Sequence, residues 1–554
     1  MTNVNLSRAP EVAATPASHR SILVGLGLFI TLLNTLKPLA VDDAVYSLFA
    51  AHIAEHPLDP YGFRAWGVQE ANSILAPPVF LYWWALAMRL FGDNPFLWKL
   101  WLLPINLLLV FALHALGRRF ARGMEMVFVC MIALSAAVLP CINLMLDVPA
   151  LALGLFAAVL FFRACSADSV AGAILAGLVA GIATQTKYTA FVALGIMLLY
   201  AARSGKWRLG LLASSLAGMM FVAWELLIAW RYGASHFWLG FMQFRAPLAA
   251  KLRLLQPLFG QGGSAMAAGL PLALAANRWS ARVVWSVAGL AVLIFAFVAM
   301  PSGAFLNMLR DTVHLYPWPR LTSLLIGLIG AALLGSVAVI ASRLVRSPIA
   351  NGTSAARKLS FSDDIFLVLW LLLEIAGYFA LSPYPATRRV LGVVVVAMLL
   401  TCRLASRTCQ GRIGLVWGIV GVNFLLGLSL FAVDLNTTWA QKQIAVELAR
   451  ECRRQETNAN VWYFGSGTFE FYGGRLGMRR VKAPEAAISA GDWVLVVKGF
   501  EPAFSRHPVF ARCVREDTRE WPSILPVRSE YQFGNVAIAR EEGPQIRVTR
   551  YRVR

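Results

Sequence analysis

Long apolar runs dominate the chain. Runs able to span a bilayer lie at about 21–39, 98–117, 124–142, 148–163, 170–185, 189–202, 209–230, 263–277, 283–300, 321–342, 363–381, 389–403 and 413–433. Several are shorter than the ~20 residues of a perpendicular helix, so about 13 spans with soft ends are expected. Between the first two runs the pattern changes. Val45, Leu48, Phe49 and Ile53 recur on one helical face, and Pro57 and Pro60 stop the helix. This predicts a short amphipathic helix on the bilayer surface with Asp42 and Asp43 at its N-terminus, where the helix dipole favours carboxylates. A second apolar helix begins at Pro77-Pro78 and ends near Gly92, and it reads as another interfacial helix. After Asp434 the apolar runs shorten. Val461–Phe464, Trp493–Val497 and 535–539 read as strands, and Ser466 opens a short helix through Tyr472. The expected fold is a polytopic α-helical membrane protein with a small C-terminal α/β domain of about 110 residues.

Composition agrees with the pattern. The 554 residues are 58% hydrophobic and only 14% charged, with a mean hydropathy of +0.63. That excludes a soluble domain. The net charge of +21 is scattered between apolar runs rather than gathered in a patch, so no nucleic-acid partner is expected. The first run lacks a small-residue cleavage pattern and reads as a retained span. With the N-terminus inside, every second loop is short and basic: Arg118 and Arg119, Arg203 and Lys206, Arg343 and Arg346, Arg403 and Arg407. This gives a cytoplasmic segment 1–20, a membrane domain 21–433 and an extracytoplasmic domain 434–554, in the plasma (inner) membrane. Seven cysteines form no CxxC motif, and Cys452 and Cys513 in the exported part are candidates for a disulfide. No pair of broken spans appears in matching halves, which weighs against a secondary transporter.

The outer loops hold more cations than the positive-inside rule expects, among them Lys187, Arg245, Arg253 and Arg388. Cations on that side suit anionic ligands, phosphate above all, or anionic membrane lipids. The adjacent Arg388 and Arg389 suit a phosphate clamp, since each guanidinium forks two bonds. Asp147 stands in a tight outer turn on the same face as Asp42 and Asp43. His236, His314 and the nearby carboxylate Glu70 are the candidates for a divalent metal ion, and none of the three stands in an HxxxH or HExxH spacing. Glu225 and Glu374 lie in expected spans and read as polar glue between helices.

This ordered set resembles a GT-C glycosyltransferase of the protein O-mannosyltransferase-like group, which includes the lipid A aminoarabinose transferases. The resemblance rests on Asp42-Asp43-Ala44-Val45-Tyr46 after the first span, and on Pro77-Pro78 with Tyr82-Trp83. It continues through the outer Asp147, Thr186-Lys187, Arg388-Arg389 and the polar α/β tail. It implies an inverting transfer of a sugar from a polyprenyl-phosphate carrier to a lipid, glycan or protein acceptor at the outer face. Asp42 would then be the base or orient the acceptor hydroxyl, and Asp43 and Asp147 would hold acceptor, sugar or a cation. Tyr46, Tyr82, Lys187 and the basic loop residues Arg245 and Arg253 would hold the carrier phosphate. Aminoarabinose transferases carry an acidic-basic pair before the first proline; here Leu75 and Ala76 stand there and Glu70 is the nearest carboxylate, a departure that bears on both the metal and that substrate. The competing readings are a lipid-linked sugar flippase, which needs charges near mid-span, a glycan ligase, and a membrane scaffold for the C-terminal domain.

Overall fold

The computed structural model describes residues 17–66, 68–243, 251–252, 254–299, 318–346, 354–382, 384–456, 459–481, 488–522, 527–529, 536–540 and 543–554. Among these, eight helices are long and apolar enough to cross a membrane, and Pro78–Phe91, Val170–Thr186 and Tyr188–Ser204 are shorter apolar ones. Each of the 13 expected runs contains a helix. Two of those runs are broken, contrary to expectation. The run 124–142 is helical only over Glu125–Ala133 and then passes through irregular backbone to a 3-10 turn at Leu139–Cys141. Pro140, which cannot donate to a helix, sits in that turn. The run 263–277 divides into Leu255–Ala265 and Gly269–Ala276. The whole stretch 135–150 is buried, so protein rather than lipid surrounds the irregular backbone.

The acidic helix forms as Asp43–Glu55, but its inward face is not the one read from periodicity. Tyr46, Phe49, Ala50 and Ile53 are buried, while Val45 and Leu48 are half-exposed. It packs against Pro78–Phe91, which Pro78 opens in its first turn.

The helix Ile413–Gln455 runs unbroken through the expected boundary at 433/434. At 1.5 Å per residue its 43 residues extend about 65 Å, roughly twice the hydrocarbon thickness of a bilayer. Its far half, with Ile444, Leu448 and Cys452, packs on one face of a five-stranded sheet. Edge to edge the sheet is Arg479–Arg480, Val461–Phe464, Trp493–Val497, Ile546–Val553 and Cys513–Trp521, the first pairs parallel and the last two antiparallel. Gly467–Arg475 crosses over between the first two strands, and the Ser466 side chain makes no capping bond. The expected strand near 535–539 is Ile538–Arg540, paired with Val527–Ser529 in a separate hairpin. Cys452 and Cys513 are both free thiols, which corrects the disulfide expectation. Cys452 packs with Val461, Tyr463 and Leu495, and Cys513 against Trp462, Val494 and Val496, so the two lie on opposite faces of the sheet.

The α/β domain rests on the loop that follows the first span. The Trp66 indole donates to Glu470, which also pairs with Arg480 at 2.6 Å. Gly467, at φ +63°, approaches Val41 so closely that a Cβ would sit 3.3 Å from the Val41 backbone. Val41 itself has φ +49°, an unfavourable conformation for a β-branched residue, immediately before the acidic pair.

Candidate functional site

Four chain segments meet at one end of the helix bundle. Asp42 follows the first span. Asp147 begins the helix Asp147–Ala167, where the helix dipole favours its charge. Lys187 terminates Val170–Thr186, and Arg388 lies in the 3-10 turn Thr387–Arg389 before Leu391–Thr408. Arg388 Nη1 donates to Asp42 Oδ2 at 2.7 Å and lies 3.8 Å from Asp147 Oδ2. Its Nη2 donates to the Tyr384 hydroxyl at 2.8 Å. Lys187 pairs with the other oxygen of Asp147. All but Asp42 are nearly sealed: the Arg388 and Asp147 side chains are 2% and 4% exposed, and that of Asp42 is 26%. Asp42 is therefore the more open of the two carboxylates, while Asp147 lines the slot described below. Tyr46 lies in the field of Asp42, Arg388 and Asp147, and burial, then Asp42, pushes its phenol well above the usual range.

Arg389 lies beside this cluster and stacks on Tyr384 at 5.1 Å. Its Nε is buried without a hydrogen-bond partner, and among the described residues it has no carboxylate partner. From Arg388 and Arg389 an apolar slot runs down between helices, past Leu151, Val192, Ile196, Tyr378 and Leu391, and encloses about 80 Å³. Small residues open it: Gly154, Ala193, Gly377 and Gly392. Gly392 has no room for a Cβ, which would collide with the Glu374 carboxylate. Glu374 itself lines the slot and accepts from the Trp370 indole at 3.0 Å.

The sequence-derived candidates divide sharply. Asp42, Asp147, Lys187 and Arg388 come together, and Tyr46 and Arg389 flank them. Asp43 does not face the cleft. It is fully buried, accepts from the Ala40 amide at 2.9 Å and interacts with Lys99 and Lys37 on the opposite side. Burial pushes its carboxyl up to about 6, against the pull of Lys99. Tyr82 stands elsewhere: its hydroxyl donates to the Pro57 carbonyl at 2.7 Å, near Asp59 and Arg231. Glu70 forms an exposed surface pair with Arg64 at 2.6 Å. His236 is buried with both ring nitrogens engaged, one with the Tyr188 hydroxyl at 2.6 Å and the other with the Ile74 carbonyl and the Ala76 amide. Neither is placed to ligate a metal, and no group of three or more His, Cys, Asp and Glu side chains gathers among the described residues. Arg245, Arg253 and His314 lie outside the described residues. Glu225 does act as glue, accepting from Tyr188, Ser235 and the Phe237 amide, each at 2.8 Å.

Sequence reading missed Tyr384 as a partner of both arginines, although the Pro-Tyr-Pro run just before them was a signal. It also missed the slot, because glycines and alanines in spans are too common to single out.

At the opposite end of the bundle a separate ionic group forms. Arg203 pairs with Asp363, and Arg403 and Arg407 pair with Asp364. These arginines belong to the loops assigned inside by charge.

No protein-family model matches the chain, and no curated protein does. Solved structures are similar to it at low identity. The archaeal oligosaccharyltransferase AglB from Archaeoglobus fulgidus, in complex with an inhibitory peptide and a dolichol-phosphate, is 12% identical, with a TM-score of 0.48, over 87% of this chain and 70% of its own. The apo form of the Archaeoglobus fulgidus enzyme gives the same identity and TM-score, and there the match spans only 64% of that protein's length. ArnT from Cupriavidus metallidurans, bound to undecaprenyl phosphate, is 14% identical with a TM-score of 0.43, over 97% of this chain and 98% of its own. At these values the chemistry has to be read from this chain's own residues.

Proposed function

We propose that this chain is a membrane-embedded glycosyltransferase that moves a sugar from a polyprenyl-phosphate carrier to a hydroxyl acceptor at the outer membrane face. The observation that carries this reading is Arg389: a half-buried cation with an unpartnered Nε, at the mouth of an apolar slot and beside the Asp42–Arg388–Asp147–Lys187 cluster. An anionic head with an apolar tail matches that arrangement. The slot is narrow, and a prenyl chain would enter only as its lining helices part.

The chemistry follows from the charges. The acceptor oxygen attacks the anomeric carbon as the bond from that carbon to the phosphate oxygen breaks. The carrier departs as polyprenyl phosphate, and its growing charge falls to Arg389 and Arg388. The acceptor proton passes to Asp42, the accessible carboxylate. Asp147 and Lys187 hold Arg388 in place from behind. Attack from the face opposite the phosphate inverts the anomeric configuration. The charged groups sit at helix ends, where a carrier phosphate would lie, and not at mid-span as a flippase requires.

Radiolabelled transfer by the purified protein, offered a panel of polyprenyl-phosphate sugars and hydroxyl acceptors, tests the reading. Carrier-dependent product that disappears in Arg389→Ala supports it. Tight carrier binding with no transfer to any acceptor, combined with movement of the carrier between leaflets in vesicles, would replace it with transport.

A further inference from the structure

The acidic pair separates two charged regions, and the second has a cavity of its own. Behind Asp43, the end of the first span, the helix Pro95–Leu100, the far half of Ile413–Gln455 and the helix Gly467–Arg475 enclose about 470 Å³. Its lining holds four basic side chains, Lys37, Lys99, Lys442 and Arg475, and no carboxylate. Two of the four are neutralised from outside the lining, Lys37 by Asp434 at 2.8 Å and Arg475 by Asp93. Lys99, 1% exposed, donates only to the carbonyls of Asn34, Lys37 and Pro38, with Asp43 at longer range. Lys442 makes no hydrogen bond or ion pair among the described residues. It lies over the rings of Trp439 and Tyr472, at 4.5 and 5.0 Å. Two cations are thus held with no counter-ion in contact.

The rim is apolar. Leu36, Phe96 and Trp439 line the cavity and are 57%, 51% and 39% exposed, Leu36 just after the helix Ala17–Thr35, Phe96 at the start of Pro95–Leu100 and Trp439 midway along Ile413–Gln455. The Trp439 indole donates to the Leu36 carbonyl at 3.1 Å, which fixes the ring against the end of the helix Ala17–Thr35. A basic interior behind an aromatic, lipid-facing rim fits a group with a phosphate on one side and acyl chains on the other.

We propose that this cavity is a second phosphate site, separate from the Arg388 cleft, which takes the headgroup phosphate of an anionic membrane lipid. It ties the far half of Ile413–Gln455, on which the α/β domain packs, to the membrane surface through Lys442. The assignment does not depend on the transferase reading.

The test uses the full chain, purified in detergent and titrated with phosphatidylglycerol, with bound lipid read by native mass spectrometry. Wild-type protein should retain the lipid. Lys442→Glu should weaken retention about tenfold or more, since it reverses a charge beside the phosphate. Arg389→Ala, which breaks no ion pair among the described residues, should retain the lipid like wild type. Equal retention by Lys442→Glu and wild type overturns the proposal, as does loss of retention in folded Arg389→Ala, which would place the lipid in the cleft. A parallel titration with inorganic phosphate separates the sources: if phosphate alone binds, with the same dependence on Lys442, the lipid assignment fails. If Lys442→Glu does not fold, wild-type protein labelled by a phosphatidylglycerol with a photoreactive headgroup decides. Label within 35–39, 94–99 or 439–446 supports the site, and label confined elsewhere overturns it.

Discussion

Asp42 and Arg388 lie 346 residues apart in the chain and meet at 2.7 Å, the arginine sealed and the carboxylate partly open to the cleft. The contact joins the loop after the first span to the turn before Leu391–Thr408, and Asp147 supports it from behind. Arg388→Ala would leave two carboxylates facing a hole where their shared cation was. Removing one partner of a buried ionic group typically costs about 3–5 kcal/mol. The thermal midpoint in detergent should therefore fall along with carrier affinity. Arg388→Lys should recover part of the midpoint but little affinity, because an ammonium cannot reproduce the two-pronged guanidinium. Calorimetric titration with polyprenyl phosphate and a melting curve on each variant check this.

Asp42→Asn separates chemistry from structure. The amide oxygen can still accept from Arg388, but it cannot take a proton. Loss of a general base costs about 10²–10⁴-fold in rate. Turnover should fall by that much with the melting point nearly unchanged. Asp43→Asn should do less to turnover, because Asp43 faces Lys99 rather than the cleft. Wild-type turnover in folded Asp42→Asn protein would remove the acidic turn from the reaction.

Asp43 also gives a pH dependence with a definite sign. Its carboxyl titrates near 6 in the folded chain against 3.8 in the ordinary state. Between those values the folded protein holds a proton that the unfolded chain has lost. This group's contribution therefore favours folding at low pH and weakens it as the pH rises from about 4 to about 6. Asp43→Asn removes that slope. Melting midpoints of wild type and variant across this window should converge at the acid end and separate toward neutral pH, the variant melting higher; parallel curves would count against the assignment.

Orientation is testable independently. The Asp42 cluster and the ionic group around Asp363 and Asp364 occupy opposite ends of the bundle, and the second carries the arginines of the loops read as inside. A reporter fused after Arg554 should be active only in the exported compartment. Activity in the cytoplasm would invert the molecule and with it the face on which transfer occurs.

The parts legible in the sequence were those set by local pattern. Apolar length located a helix for every expected span, and short continuous apolar runs gave the central strands Val461–Phe464 and Trp493–Val497, which are buried on both faces. The outer edge strand Cys513–Trp521 is half-exposed and strongly charged, so it carried no apolar signal. The strand Ile546–Val553 did carry one, since its buried residues alternate at the start, and it was missed. The breaks after Ala133 and Ala265 were hidden because buried irregular backbone uses the same apolar residues as a span. Asp42 and Asp43 were taken together as site residues. Neighbours at a helix start point about 100° apart, so the two carboxylates were not bound to share one environment. That inference needed no structure. The pairing of Asp42 with Arg388 did, as no local rule links residues so far apart.

The Asp147–Lys187 pair decides whether Lys187 serves the carrier or only the fold. The lysine side chain is 11% exposed and pairs with Asp147. Lys187→Met should lower stability by about 3–5 kcal/mol, because Asp147 loses a buried partner. Asp147→Asn alone should cost a similar amount and also loosen Arg388, which shares that carboxylate. The double variant removes both charges. Replacing a whole buried pair by neutral groups of similar size is often close to neutral, so much of the stability should return. Carrier affinity is the discriminating readout. If Lys187 contributes charge to the phosphate, the double variant remains weak in binding although its melting point has recovered. If affinity recovers with the melting point, Lys187 is a structural partner of Asp147, and Arg388 and Arg389 alone hold the carrier.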